Sequence, residues 1–452
     1  MPDNGHNRHS DRMRPSPLTR GITGVYTAAA AGVVGVGSWL LKRSGQWPAN
    51  GIRERWAREL PEAPIQHPIW LHAASMGEVR IAGQFAEELR KNGQTVVCSA
   101  MTEAGYQLTR DLFTNDSPSF RVPFDLPGPI RRVIRHFAPK AVVLIETEWW
   151  PNLLIEASRA DLPVFIINGR LSEKAYRRYR LGRSYWQQIL RAVHFFYMRS
   201  EDDAERLRRL GVDPTRVSVL GTMKSLSDPV ADARTAALVQ SLKSSDDRVW
   251  IAGCTRPGEE EIILDAYDTL RAEFPTLKLW LAPRHASRFG HVANILERQG
   301  RSMVRLSELD GHGRMVAMTP IVLIDRLGIL AHLYQHADVA FIGGSLLPYG
   351  GHNPLEPALV GTPVCFGHHM NDQRDAVELL ANSGLAAEVW GSESLALATA
   401  EFLRSGSSVE DRRLRGDSVR ARIADTRSRV AADLIARLQD HLTFSRAAST
   451  SL

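Results

Sequence analysis

Two short stretches of this 452-residue chain carry side chains whose type and spacing suit chemistry. The first is Ser75-Met-Gly-Glu78, directly after the apolar run IWLHAA. S-x-x-E is the spacing of a capping box, in which the two side chains satisfy the free amides of a helix start. A carboxylate at the end of a strand can also take the proton of an attacking hydroxyl. Spacing alone leaves both roles open. The second stretch is FIGGSLLPYGGHNPLEP, Phe341 to Pro357, an apolar strand running into a glycine-rich loop and a helix start. Asn353 is expected as the N-cap, Pro354 at the first helical position and Glu356 at the third, an arrangement that aims free amides at a phosphate. Glu356 is placed to accept hydrogen bonds from both hydroxyls of a ribose, or only to pair with the cap.

Pro283-Arg284-His285 follows the run KLWLA, where an arginine serves either as a surface ion-pair partner or as a counter-charge for a phosphate. Gly253-Cys-Thr-Arg-Pro-Gly-Glu-Glu-Glu261 reads as strand, turn and acidic helix start, with Thr255 or Arg256 in reach of a phosphate and Glu259 to Glu261 offsetting the helix dipole. Lys174, Arg177, Arg178 and Arg180, interleaved with Tyr176 and Tyr179, suit phosphorylated headgroups if they are not simply a solvated helix face. His72, Glu146 and Glu148 either shape an acceptor site or simply pack at strand ends, and Lys224 is a further candidate to face the cleft. Histidines are dispersed and no carboxylate pair has ligand spacing, so no metal site is expected.

Apolar runs alternate with amphipathic stretches from Ile69 onward, the pattern of helices crossing over parallel strands. IWLHAA, TVVCSA, AVVLIE and PVFIIN form one set of strands, and RVWIAGC, KLWLAPR, IVLID and VAFIGG a second. The pattern pauses between Gly221 and Arg248, where the connection between two domains is expected. The reading is α/β, with domains at 50–225 and 245–405 and a charged helical segment at 409–442 packing back on the first.

A hydrophobic content of 44% supports two cores in a chain of this length. A net charge of +6 favours anionic partners. Cys98, Cys254 and Cys365 lack the close spacing of a dithiol or zinc site, which makes a reduced compartment the default. A disordered basic tail is expected at 1–20. Residues 21–41 hold no charged side chain and are long enough for a single membrane anchor, although weakly hydrophobic; the alternative is an Ala-rich helix packed on the first domain.

WLHAASMGE, ETEWWPNLL, NGRLSEKAYRRYR, GTMKS, LAPRH and HNPLEP, in that order, closely resemble the Kdo (3-deoxy-D-manno-octulosonic acid) transferases of lipopolysaccharide synthesis. The resemblance covers about residues 50 to 400. It implies a GT-B fold, two Rossmann-like doubly wound domains facing a cleft behind an N-terminal membrane-anchor helix. It also implies an inverting, metal-independent glycosyltransferase that moves Kdo from CMP-Kdo to a lipid A precursor. Glu78 is then the catalytic base. Pro283, Arg284, Leu327, Gly328, Ile329, Asn353, Pro354, Leu355 and Glu356 bind the donor; Ser75, Lys174, Arg177, Arg178 and Arg180 bind the acceptor. No cofactor and no nucleic-acid partner are implied, and the expected location is the inner membrane with the catalytic domains on its cytoplasmic side. Two positions depart from the family: Leu327-Gly328-Ile329 stands where Met-Gly-Glu is usual, and Arg256 lies where a histidine is common. The rival readings are a GT-B transferase or epimerase using a UDP-sugar, and a catalytically silent nucleotide-binding scaffold at the membrane.

Overall fold

The structure, a computed structural model, describes residues 16–44, 49–62, 67–113, 117–223, 238–239, 241–309, 319–381, 383–406 and 408–450. Lys224, most of the expected basic tail and much of the expected connection lie outside the described residues. The chain divides into two compact units, one of Met1–Ser225 with Ala424–Leu452, the other of Leu226–Ile423.

The first unit is built on a seven-stranded parallel sheet: β1 Ile69–Ala73, β2 Val96–Ala100, β3 Ser119–Arg121, β4 Ala141–Ile145, β5 Val164–Gly169, β6 Val193–Met198 and β7 Val217–Val219. Their spatial order is β3-β2-β1-β4-β5-β6-β7. The strands read as unbroken apolar runs because both faces are covered. Trp70, Val97, Val142, Leu144 and Ile166 enter one core. Leu71, Cys98, Val143, Phe165 and Ile167, one step out of phase, enter the other.

The second unit repeats the plan with β8 Arg248–Thr255, β9 Leu277–Pro283, β10 Met303–Arg305, β11 Ile321–Leu323, β12 Val339–Ile342, β13 Val364–Gly367 and β14 Ala386–Val389. Their order is β10-β11-β9-β8-β12-β13-β14, again all parallel. The chain starts each sheet in the middle and switches sides, reversing its direction across the sheet, between β1 and β4 in the first and between β8 and β12 in the second, where β10 lies outside β11 at the edge. Ligands of such sheets bind outside the carboxyl ends of the strands at that reversal.

The helix expected at 409–442 runs Val409–Thr450. Its Val419 and Ile423 belong to a core of the second unit, and Val430, Ala431, Leu434 and Leu438 to a core of the first. The segment expected as an anchor is a helix, Pro17–Ser44. Among the described residues, however, no helix is long and apolar enough to cross a membrane, so the expected span is not found. At roughly 42 Å the helix has the length; Gly, Ala and Thr dilute its hydropathy. Its polar residues turn inward. Thr19 Oγ1 donates to Gln188 Oε1 at 2.8 Å, Tyr26 Oη to Asp125 Oδ2 at 2.9 Å and Thr27 Oγ1 to Asn152 Oδ1 at 3.0 Å. Leu18, Ile22, Val25 and Val33 are left exposed.

Candidate active site

In the first unit the reversal point collects carboxylates. β1 ends at Ala73, and the turn through Ala74 and Ser75 starts the helix Met76–Lys91, whose Val79, Ala82, Phe85, Ala86 and Leu89 are buried. Ser75 is the N-cap, its Oγ accepting from Glu78 N at 3.4 Å. The return half of the capping box is displaced by one residue: Glu78 Oε2 accepts from Ala74 N at 2.8 Å, and Oε1 accepts from Ser75 Oγ at 2.9 Å. Glu78 therefore occupies the structural role that its spacing allowed.

Its electrostatics go beyond a cap. Burial pushes the Glu78 carboxyl up to about 7, and the nearby Glu146 and Glu148 carboxylates push the same way. A group poised near neutrality is suited to proton transfer. Glu146 and Glu148 come from the end of β4, across the reversal point from β1. Glu146 has φ 64°, a conformation a non-glycine residue adopts at a cost. Asn168 Nδ2 donates to its Oε1 at 3.4 Å, while Asn168 Oδ1 accepts from Met223 N at 3.0 Å. Glu148 Oε2 accepts from Trp150 Nε1 at 2.8 Å, and the Trp150 ring meets the His72 ring edge-on at 4.9 Å. His72 is fully buried and pushed down to about 4 by that burial; its Nδ1 lies 3.0 Å from Ser99 Oγ.

Lys174, Arg177, Arg178 and Arg180 stand on the helix Glu173–Leu181, which buries none of its residues. Arg177 pairs with Glu173 at 2.9 Å, and the Arg178 guanidinium lies 5.2 Å from the Tyr179 ring. No contact among the described residues joins these cations to Glu78. They form a separate exposed basic face.

In the second unit the reversal point collects cations. β8 ends in Cys254 and Thr255 with Arg256 next, β9 ends in Pro283 with Arg284 and His285 next, and β12 runs into the glycine-rich loop. The Arg284 side chain is exposed, and its backbone N–H donates to Thr255 O at 3.1 Å. Arg256 Nη1 is hydrogen-bonded to His285 Nε2, and its guanidinium sits 4.7 Å from the Tyr349 ring centre. The His352 imidazole borders Gly344 together with the Arg256 stem. Burial, then the charges of Arg284, Arg256 and His285, hold His352 down at about 4. Arg284 and Glu356 both act on Cys254, whose thiol burial pushes up to about 12. The expected donor residues at 284 and 356 are thus brought together around the end of β8. Pro283, Pro354 and Leu355 are buried beneath them.

The turn Leu327-Gly328-Ile329 is open, with Gly328 at φ 83° and Leu327 68% exposed. It leads into Leu330, whose side chain lies against Gly253, so this loop also borders β8. Asp325 is committed elsewhere, accepting from Ser307 N at 2.7 Å and pairing with Arg305 at 3.2 Å.

One expectation needs correction. The helix after the glycine loop is a single turn, Leu355–Leu359, with Pro354 in the capping position; Asn353 Oδ1 accepts from Leu355 N at 3.2 Å. Asn353 does cap, but the helix starts a residue late and is too short for a strong dipole. The glycine loop's amides are also already taken. Glu259 Oε2 accepts from Gly344 N at 2.6 Å and Arg256 N at 2.9 Å, and Oε1 from Ser345 N at 2.9 Å and Leu346 N at 3.0 Å. A carboxylate of the chain fills this backbone nest, which is distinct from the helix start where a phosphate was expected. Glu260, its neighbour, holds Arg288 at 2.6 Å and accepts from Thr255 Oγ1 at 2.7 Å. These roles exceed the dipole compensation expected of them, and only an acidic pair just after a strand-end turn signalled them.

Two Rossmann-like doubly wound sheets of this kind make up the GT-B fold. A crystal structure of a glycosyltransferase from Rickettsia africae shares the fold with TM-score 0.59 at 12% identity, covering 83% of this chain and 99% of that one. The 3-deoxy-D-manno-octulosonic acid transferase of Haemophilus influenzae is 32% identical over 311 residues, 68% of this chain and 72% of that protein. A bifunctional glycosyltransferase/methyltransferase of Fusobacterium nucleatum is 30% identical over 369 residues, 80% of this chain; this chain spans only 55% of that protein's length. The family model described as 3-deoxy-D-manno-octulosonic-acid transferase (kdotransferase) matches residues 50–226. The chain belongs to the Kdo transferase family.

Proposed function

We propose that this protein transfers Kdo from CMP-Kdo to a hydroxyl of a lipid A precursor, with inversion, in lipopolysaccharide synthesis. Glu78 takes the proton of the acceptor hydroxyl as that oxygen attacks the anomeric carbon, and CMP leaves with the bonding electrons. Arg284 offsets the charge that builds on the departing phosphate, and Glu356 holds the ribose. The observation that carries this reading is the pairing of charges: a carboxyl lifted to about 7 at one reversal point, and guanidiniums at the other. Because side chains supply the positive charge, turnover is expected to continue in EDTA.

The reading extends to the membrane surface on the cytoplasmic side of the inner membrane. Support comes from the helix Pro17–Ser44, which ties its threonines to the first unit and leaves Leu18, Ile22, Val25 and Val33 exposed. The basic face of Lys174, Arg178 and Arg180 is of the right sign for a phosphorylated lipid. Mass analysis of lipid after incubation of the full chain with CMP-Kdo and a lipid A precursor tests the transfer. A gain of Kdo is expected; unchanged lipid with intact, CMP-binding protein overturns the proposal.

A further inference from the structure

The function proposed above assigns the phosphate to Arg284, and Arg256 beside it is held by contacts of its own. Its guanidinium rests on the Tyr349 ring, Tyr349 Oη donates to Pro257 O at 3.2 Å, and Nη1 is engaged by His285. Its backbone N–H is fixed by the buried Glu259. What remains is the edge formed by Nε and Nη2. Arg256 Nε is buried and has no acceptor among the described residues. A buried donor without an acceptor is unfavourable, and an oxyanion arriving from outside the chain would supply one. The Nε and Nη2 edge of a guanidinium is a fork that matches the two oxygens of a carboxylate.

The charges count the same way. Two guanidiniums, Arg256 and Arg284, stand at this edge of the second sheet, while burial and their charges push His352 down beside them. Phosphate alone calls for one of the two. An octulosonic acid donor carries a second negative charge, the carboxylate attached to the same carbon that bears the phosphate oxygen.

We infer that Arg256, steadied by Tyr349 and His285, is a specificity-determining residue that binds the sugar carboxylate of the donor, leaving the nucleotide phosphate to Arg284. This rests on the function proposed above and deepens it. The site then selects a 2-keto-acid sugar over a neutral hexose by its charge, through a side chain that does not bind the nucleotide.

Binding measured without acceptor separates the two proposals. For the full chain, Arg256→Met is expected to leave CMP affinity within about 3-fold and weaken CMP-Kdo by about 30-fold or more, the loss of one charge-assisted pair. Arg284→Met is expected to weaken both ligands together. Arg256→Lys, which keeps the charge and loses the fork, is expected to fall between, and it decides the matter should the methionine variant unfold. Equal loss of CMP and CMP-Kdo in the Arg256 variants, or loss of neither, overturns this inference and leaves the transfer reaction standing. Wild-type protein that binds both ligands but moves no Kdo strikes the proposed function instead.

Discussion

The two units solve one architectural problem with opposite charge. Both put their reactive side chains where a parallel sheet reverses its strand order, one with Glu78, Glu146 and Glu148, the other with Arg256, Arg284, His285 and His352. In the first, burial and like charge push a carboxyl up; in the second, burial and like charge push an imidazole down. Each unit thereby extends the pH range over which one of its groups is uncharged, upward for Glu78 and downward for His352. Burial is the larger cause at each reversal point, and crowding of one sign adds to it.

The comparison breaks first at Glu78. Glu78→Gln keeps a capping side chain but cannot take a proton, so kcat is expected to fall about 1000-fold with CMP affinity unchanged. Turnover near the wild-type value would remove the acidic site from the mechanism. In the other unit, Glu259→Ala strips four backbone amides of their acceptor. A destabilisation on the order of 3 kcal/mol is expected, read as a lower unfolding midpoint together with weaker CMP binding. Stability within error of wild type would show that the loop holds itself. Arg284→Met sharpens the charge assignment: CMP affinity should drop by roughly 30-fold, and the remaining binding should become less salt-sensitive.

Acidity provides the finer tests. Glu78 must lose its proton to act as base, so kcat/KM is expected to rise with pH through about 7. Glu146→Gln removes a like charge and should move that limb to lower pH; an unmoved limb would mean the two carboxylates do not sense one another. The smallest effects are on stability, and the units differ in sign. Glu78 keeps its proton in the fold where the unfolded chain has lost it, so its contribution declines as pH rises from about 4.5 to about 7. His352 refuses a proton that the unfolded chain accepts, so its contribution is lost as pH falls from about 6.5 toward 4. Glu78→Gln and His352→Gln should tilt the pH dependence of unfolding in opposite directions, as thermal melts across that range would show.

Much of this was legible in the chain. Strand positions followed from apolar runs, because doubly covered sheets have no polar face to interrupt them. Ser75 and Glu78 were recognisable as a cap from local spacing alone. The departures came where a side chain's role depends on distant partners. Nothing local told Glu259 from an ordinary helix-start acid, since its four donors come from two loops far apart in sequence. The depressed His352 likewise depends on Arg256, Arg284 and His285 arriving from other strands. The N-terminal helix was legible as a helix, whereas the inward turn of its threonines required Gln188, Asp125 and Asn152 to be seen beside it.

At two strand ends of the second unit main chain packs against main chain, and at a third it packs against a side chain. A methyl on Gly343 would stand 2.5 Å from Cys254 O, one on Gly367 2.2 Å from Ser345 O, and one on Gly253 would strike the Tyr334 hydroxyl. No drift in main-chain course is open to descendants of this sequence at these points. Change in what this unit binds is therefore easier through the side chains that project from these strand ends than through the main chain beneath them.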